Sequence, residues 1–477
     1  MPLENTIMFE LDLAYAVLLI ICLVAACGFE FVNGFHDTAN AVATVIYTNS
    51  LKPWFAVIWS GIWNFLGVLL GGIGVAVSII NLLPVETLVD QNIGHSISMV
   101  IALLITAIFW NLLTWYFGIP CSSSHTLIGS ILGVGLAYSL LPVASGDAVN
   151  WNKAKEIGIS LLISPLFGFS MTIVLMYVIR TFTKKTTGGD ALFKEPKKNQ
   201  PPPTWIRSIL IVTCTLVSFF HGQNDGQKGV GLVMLILIGI IPLYFALDST
   251  FQPTSMPESL RKIEQVVGTV DPLNLSAPDR EKLAEAKEMN TRLKLRFDTI
   301  DAVSDIAREE RFLVRKDIML MDRHFSDIGK KPEVKLSDQE KDLLKAELKN
   351  VRKITDYAPD WVILMISLSL GLGTMIGWKR IVKTVGEKIG KEHLTYAQGA
   401  SAELVAASTI GMSSYFNLPV STTHVLSSGI AGSMVASKGV KNLQGDTVRN
   451  ILMAWFLTLP VVMVMAGTLF LLLRSMV

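Results

Sequence analysis

Charged residues are scarce in this sequence. Asp, Glu, Lys and Arg together make up 17% of the 477 residues, whereas hydrophobic residues make up 51%, and the mean hydropathy is +0.48. A soluble globular domain carries about 25% charged residues. The composition therefore excludes an ordinary soluble protein and predicts a chain that crosses a membrane several times. The formal net charge of +2 decides nothing about partners.

Cysteine is rarer still. The four cysteines, Cys22, Cys27, Cys121 and Cys214, lie in apolar segments and show no metal-ligand spacing. The sequence therefore indicates neither a disulfide framework nor a resident metal, and the thiols are predicted to be small buried side chains. We expect no cofactor.

Long apolar runs predict an all-α polytopic membrane protein, because a membrane helix needs about 20 apolar residues. Residues 1–11 carry acids rather than the basic region of a signal peptide, so we expect the first run to remain as a helix. The long runs are 13–31, 55–83, 97–117, 157–179, 206–219, 230–247, 361–378 and 451–473. Shorter runs are 127–141, 396–415 and 425–435.

Two polar motifs interrupt these apolar surroundings. Residues 120–125 read Pro-Cys-Ser-Ser-Ser-His, and residues 419–424 read Pro-Val-Ser-Thr-Thr-His. Unsatisfied polar groups in hydrocarbon cost several kcal/mol each, so such motifs are kept mainly where something binds. Proline followed by hydroxyl residues is typical of a helix start, where free N–H groups attract anions.

Two such helix starts would surround a tetrahedral oxyanion, and phosphate suits them because it offers only oxygen acceptors. Hydroxyl donors do not distinguish phosphate from sulfate or arsenate, and the alternative is that the hydroxyls merely cap helices. The predicted phosphate-binding residues are Ser122, Ser123, Ser124, Ser421, Thr422 and Thr423.

A second pair of motifs places carboxylates in the membrane. Residues 34–40 read Gly-Phe-His-Asp-Thr-Ala-Asn, and residues 222–228 read Gly-Gln-Asn-Asp-Gly-Gln-Lys. A carboxylate in a membrane helix costs roughly 2.5–3.5 kcal/mol or more. We expect Asp37 and Asn40, with Asn224 and Asp225, to hold a small cation or a proton with help from unwound backbone carbonyls. Hydrogen bonding between helices is the structural alternative.

Three ionisable residues lack a counterpart in the other copy of these motifs. Lys228 would supply a tethered ammonium group beside Asp225, or would extend from a helix end toward lipid headgroups. His36 is able to carry a proton near neutral pH. Glu403 is an acid within an apolar helical run. We expect these three residues to determine which ion drives transport.

The spacing of the motifs predicts a duplicated unit. The carboxylate motifs lie 188 positions apart and the hydroxyl motifs 299 positions apart, and the difference matches the length of the polar stretch 248–357. We therefore predict two inverted membrane repeats with broken helices, and a small soluble helical insertion in the second repeat. The predicted segments are the first repeat 1–181, a basic linker 182–205, the second repeat 206–247 and 358–477, and the insertion 248–357.

These motifs resemble the inorganic phosphate transporter (PiT) family, most closely its bacterial low-affinity permeases. The resemblance covers both halves of the chain through residues 34–44, 120–125, 221–229, 373–378 and 419–424. It implies a re-entrant helical hairpin in each half, with phosphate at the hairpin tips and cations at Asp37 and Asp225. Sodium-coupled relatives usually have Asn where this chain has Lys228, and they share an acid at Glu403.

The sequence therefore predicts a secondary transporter of the inner cell membrane, rather than an enzyme, that imports phosphate with a proton or another cation. Sodium-coupled phosphate transport, sulfate transport and a passive channel are alternatives. An intramembrane hydrolase is disfavoured because no Gly-x-Ser-x-Gly motif is present. The expected partners are phosphate, a proton or sodium, a divalent metal carried with phosphate, membrane lipid and a second copy of the chain, but no nucleic acid.

Overall fold

The structure is a computed structural model that describes residues 9, 11–83, 93–141, 149–183, 189–197 and 200–476. Parts of the predicted linker, at 184–188 and 198–199, lie outside the described residues. Within the described ranges the regular structure is helical, apart from isolated bridge residues such as the pair Gly390 and Leu443. The prediction of an all-α protein is confirmed.

The chain forms two compact units, of which the larger comprises mainly Leu11–Ile236 and Ala358–Val477. Its helices begin at predictable residues: Pro53 is the first residue of one helix, and Ser122 and Ser421 cap two others. The helices of the first part are α1 Leu13–Asp37, α2 Ala39–Tyr47, α3 Pro53–Leu70, α4 Gly74–Ile80, α5 Ile93–Tyr116, α6 Ser123–Ser139, α7 Trp151–Thr183, α8 Thr204–His221 and α9 Gln227–Ile240.

The smaller unit comprises mainly Leu237–Tyr357. Ser337 begins its last helix with a reciprocal cap: the Ser337 hydroxyl accepts from the Glu340 backbone N–H, and the Glu340 carboxylate accepts from the Ser337 N–H. Apolar side chains such as Leu260, Ile263 and Ile318 form its core. Its helices are α10 Pro242–Phe245, α11 Met256–Gly268, α12 Ala277–Phe297, α13 Arg308–Gly329 and α14 Asp338–Arg352.

The second part of the larger unit returns to apolar helices. They are α15 Asp360–Thr374, α16 Lys379–Lys383, α17 Tyr396–Tyr415, α18 Thr422–Lys438 and α19 Gly445–Arg474. Helix α6 packs along α19, whereas α18 packs along α7, so each of the two helices that follow a hydroxyl motif lies against a long helix from the other part of the chain. This packing places the two hydroxyl motifs, 120–125 and 419–424, close to each other.

Six helical segments of the described chain are long and apolar enough to cross a membrane, and a seventh is a pair, Asp360–Thr374 and Lys379–Lys388, bent by 54°. Three predicted runs differ from the structure. The runs 206–219 and 230–247 belong to one helical segment, Thr204–Ile240, because the polar residues between them stay helical. The run 55–83 is two helices, since the chain breaks at Gly72, whose φ of 77° is left-handed.

Candidate functional site

Each hydroxyl motif forms the start of a helix with the same local geometry. Ser122 and Ser421 have extended backbone angles, and each accepts a hydrogen bond from the backbone N–H of the histidine three residues later, at 3.2 and 3.1 Å. The turns before them contain Gly118 and Asn417, whose φ values of 66° and 58° are left-handed. The prediction that both motifs begin helices is confirmed.

The two helix starts meet. The Ser124 hydroxyl donates to the backbone carbonyl of Val420 at 2.8 Å, and the imidazole rings of His125 and His424 lie 4.5 Å apart. All of these side chains are buried. Two segments 299 positions apart therefore form one polar centre inside the larger unit.

Asp37 joins the hydroxyls of both motifs. Its carboxylate accepts from Ser123 at 3.0 Å and from Thr423 at 2.6 Å, and Asn40 donates to the same threonine at 3.0 Å. Asp225 accepts from Thr422 at 3.2 Å. The carboxylate motifs and the hydroxyl motifs thus belong to one cluster.

Lys228 is fixed within this cluster rather than extended toward a membrane surface. Its ammonium group donates to Asp225 and Ser124, both at 2.5 Å, and to the carbonyl of Val420 at 2.9 Å. The residue is 2% exposed. Since an ammonium group has three donors, all of them are used.

His221 is a member of the cluster that our residue predictions missed. Its Nε2 lies 3.8 Å from Asp37 and 3.3 Å from Asp225, and its Nδ1 donates to the side-chain oxygen of Asn64 at 2.8 Å. Asp37, His221 and Asp225 are close enough to share one cation. The i,i+4 spacing of His221 and Asp225 on a helix was the available signal.

The prediction of unwound segments around the carboxylates is wrong, because the backbone there stays helical. Thr38 keeps right-handed helical angles between α1 and α2, and its hydroxyl donates to the carbonyls of Gly34 and Thr374. Gly222–Gly226 forms one π-helical turn between α8 and α9. Wide helical turns often occur at functional sites because they turn side chains without ending the helix.

His36 and Asn224 form hydrogen-bond contacts at the edge of the cluster. His36 contacts Asp37 through Nδ1 at 3.1 Å and Thr114 through Nε2 at 3.3 Å. The amide of Asn224 donates to the carbonyl of Leu418 at 3.1 Å and accepts from the Val420 N–H at 3.2 Å. Asn224 therefore holds the loop that leads into the second hydroxyl motif.

Glu403 lies apart from the cluster. Its carboxylate is fully buried on α17 and accepts from Thr213 of α8 at 2.5 Å. Among the described residues, no hydrogen bond or ion pair connects Glu403 with Asp37 or Asp225. The structure thus gathers the other predicted site residues in one place and separates this acid from them.

Most of the chain matches one known protein family. The model of the phosphate transporter family matches residues 33–466 of the chain. The chain belongs to this family. The phosphate transporter family consists of integral membrane transporters rather than enzymes, which excludes the hydrolase alternative and confirms a multi-pass membrane protein.

Three relatives show how closely the chain follows other members of the family. It is 41% identical to the low-affinity inorganic phosphate transporter PitA of Escherichia coli K12, over 96% of this chain and 97% of that protein. It is 40% identical to PitB of the same organism, over 96% and 97%. The probable low-affinity inorganic phosphate transporter of Bacillus subtilis is 30% identical over 95% of each chain.

One solved structure, titled the sodium-dependent phosphate transporter, has a similar fold. It superposes with a TM-score of 0.54 over 97% of this chain and 100% of that chain, at 20% sequence identity. At this level of identity the similarity concerns the fold alone.

Proposed function

We propose that this protein is a secondary active transporter that imports inorganic phosphate together with a proton or another cation. The family supports the substrate class. The observation that carries the proposal is the convergence of two hydroxyl-bearing helix starts on Asp37, Asp225 and Lys228 within one buried cluster.

Phosphate would bind between the two helix starts. Free N–H groups at a helix start carry a partial positive charge, and two such ends supply anion-binding donors without a mobile cation. The hydroxyls of Ser123, Thr422 and Thr423 donate to carboxylates in the structure, and phosphate oxygens would accept the same hydrogen bonds. Lys228 would add a full positive charge. The proposed phosphate-binding residues remain Ser122, Ser123, Ser124, Ser421, Thr422 and Thr423.

Of the candidate coupling ions, the contacts around Lys228 favour a proton. Lys228 places an ammonium group against Asp225, where a free cation would otherwise lie, and His36 and His221 each contact a carboxylate of the cluster. Sodium coupling is the second candidate, because Asp37, His221 and Asp225 together are able to share one cation. The same three groups would contact a divalent metal carried with phosphate.

We also propose a duplicated, inverted architecture, with the first repeat at 1–181, the second at 206–247 and 358–477, and the insertion at 248–357. The paired caps at Ser122 and Ser421 and the left-handed residues Gly118 and Asn417 repeat at the spacing of 299 positions. The compact unit Leu237–Tyr357 supports a separate insertion in the second repeat. Alternating access would then move the two repeats around the common polar centre.

Uptake into reconstituted vesicles tests the proposal. Radiolabelled phosphate should accumulate under an imposed pH gradient without sodium, and unlabelled sulfate should compete poorly. Accumulation that requires sodium would replace the proton with sodium as the coupling ion. Sulfate accumulation without phosphate uptake would overturn the substrate assignment.

A further inference from the structure

A second buried acid lies on α1, two turns before Asp37. Glu30 is fully buried, and its Oε2 accepts one hydrogen bond, from the amide of Asn33 at 3.2 Å. Its Oε1 has no hydrogen-bond partner among the described residues, and neither has the side-chain oxygen of Asn33. Two polar oxygens on consecutive turns of one membrane helix are therefore unsatisfied.

The ionised form of Glu30 is poorly accommodated. A buried carboxylate with a single amide donor loses most of its hydration without replacement. The protonated acid carries no charge, and its O–H finds an acceptor when the Asn33 amide turns over, because an amide offers both donors and an acceptor. Asn33 is thus able to form a hydrogen bond with Glu30 whether the acid is ionised or protonated, and the helix does not have to move.

Glu30 lies directly against the helix that carries Lys228. A Cβ atom at Gly229 would overlap the Glu30 side chain, so the absence of a side chain there is what allows the acid to reach α9. Asp225, Lys228 and His221 are close enough to act on Glu30 electrostatically.

The other two long helices packed against α1 bring few ionisable groups. The ionisable residues of α5 are His95 and Tyr116 and that of α15 is Asp360, each in the first or last turn of its helix. The charged groups that act on Glu30 therefore lie mainly in the cluster around Lys228.

We propose that Glu30 binds and releases the co-transported proton, with Asn33 as its hydrogen-bond partner. One proton adds to the carboxylate to give the neutral acid, and the same proton leaves on the opposite side of the membrane. Loss of the Glu30 charge favours the arrival of a phosphate anion beside Lys228, and bound phosphate favours protonation of Glu30 in return. This inference rests on the proposed phosphate transport.

Two vesicle assays on Glu30→Gln separate coupling from binding. The glutamine imitates the protonated acid, so exchange of labelled for unlabelled phosphate at equal pH on both sides should stay within about twofold of the wild type. Accumulation driven by a pH gradient should fall roughly tenfold or more, in the range of typical coupling between sites. The matched control is Glu156→Gln, whose side chain is half exposed on α7 and pairs with Lys153.

Each outcome decides the inference. Wild-type accumulation by Glu30→Gln would overturn it, and so would loss of exchange in a variant with unchanged thermal unfolding. Glu30→Asp should recover part of the driven accumulation. If the wild type itself moves no phosphate, the proposed function fails rather than the assignment of Glu30.

An infrared titration tests Glu30 without transport. The wild type should show the carbonyl band of a protonated carboxyl group that Glu30→Gln lacks and Glu156→Gln retains. Identical spectra of the wild type and Glu30→Gln would overturn the assignment even if phosphate uptake is intact.

Discussion

The hydroxyl of Thr423 donates to the carboxylate of Asp37 at 2.6 Å, although 386 positions separate the two residues. This hydrogen bond connects the second hydroxyl motif to the first carboxylate motif. A change in the protonation or partners of Asp37 therefore acts directly on a residue that we assign to phosphate, which makes the carboxylates the first place to test the mechanism.

Asp37→Asn should abolish phosphate uptake driven by a pH gradient and leave the protein folded. Asparagine keeps the size of the side chain and one of its two acceptor oxygens, but it cannot carry the charge that faces His221 and His36. Asp225→Asn should abolish uptake as well. Initial uptake rates and thermal unfolding of detergent-solubilised protein are the measurements, and normal driven uptake in either variant would refute the cation-site assignment.

Lys228→Asn should weaken proton coupling or create sodium dependence, because it removes the ammonium group beside Asp225. Uptake measured separately under pH and sodium gradients checks this. Lys438→Asn, which removes an exposed lysine paired with Glu392, is the control. Unchanged ion dependence of Lys228→Asn would contradict the tethered-cation role.

Lys228→Met should also destabilise the protein, by about 3–5 kcal/mol, since it leaves Asp225 as a buried charge without its strongest partner. Adding Asp225→Asn removes that charge and should recover most of the stability without recovering uptake. The midpoint of chemical unfolding of the single and double variants is the measurement. Equal stability of the wild type and Lys228→Met would show that the ion pair of Lys228 with Asp225 contributes nothing to the free energy of unfolding.

His221→Gln should reduce driven uptake strongly. Glutamine is able to keep a hydrogen bond to Asn64 but cannot place an imidazole Nε2 between Asp37 and Asp225. His393→Gln, at an exposed histidine, is the matched control. If both variants transport phosphate at the same rate, His221 only packs the two helices together.

Gly222→Ala should prevent correct packing of the larger unit. A Cβ atom there would overlap the backbone carbonyl of Asn64 on α3, and backbone cannot move aside as a flexible side chain can. Gly28→Ala is the control, because its Cβ would meet nothing within 4 Å and alanine favours a helix by roughly 0.5–1 kcal/mol. The yield of monodisperse protein after purification should fall for Gly222→Ala alone.

Arg315→Leu should destabilise the smaller unit. Arg315 is buried and donates to the carbonyls of Ala246 and Thr355, both at 2.9 Å, so it ties the first and last segments of that unit together. Burial lowers the pKa of Arg315 to about 10, so the guanidinium group is still charged at neutral pH. The unfolded chain binds the proton more tightly, and the contribution of Arg315 to the free energy of unfolding should therefore be constant below pH 10 and become more favourable above it. Circular dichroism of the full chain at several pH values measures both effects.

Local features of the site, such as where its helices begin, were predictable from the sequence. Contacts between residues far apart in the chain were not. Proline and hydroxyl residues fix where α6 and α18 begin, so the caps at Ser122 and Ser421 followed from residue types alone. The prediction of unwound carbonyls failed at Thr38 because its hydroxyl bonds to Gly34 and Thr374, and the latter partner lies far along the chain. His221 was missed for a similar reason: its contact with Asp37 depends on how two helices pack.

The meeting of the two helix starts has an electrostatic consequence. Both helices point their positive ends at the same centre, so the tips at Ser124 and Val420 face each other as like poles, each equivalent to roughly half a unit charge. Without Asp37 and Asp225 between them, these poles would repel. The two aspartates therefore supply negative charge between the two helix starts, and an anion bound at the same centre would supply negative charge in their place.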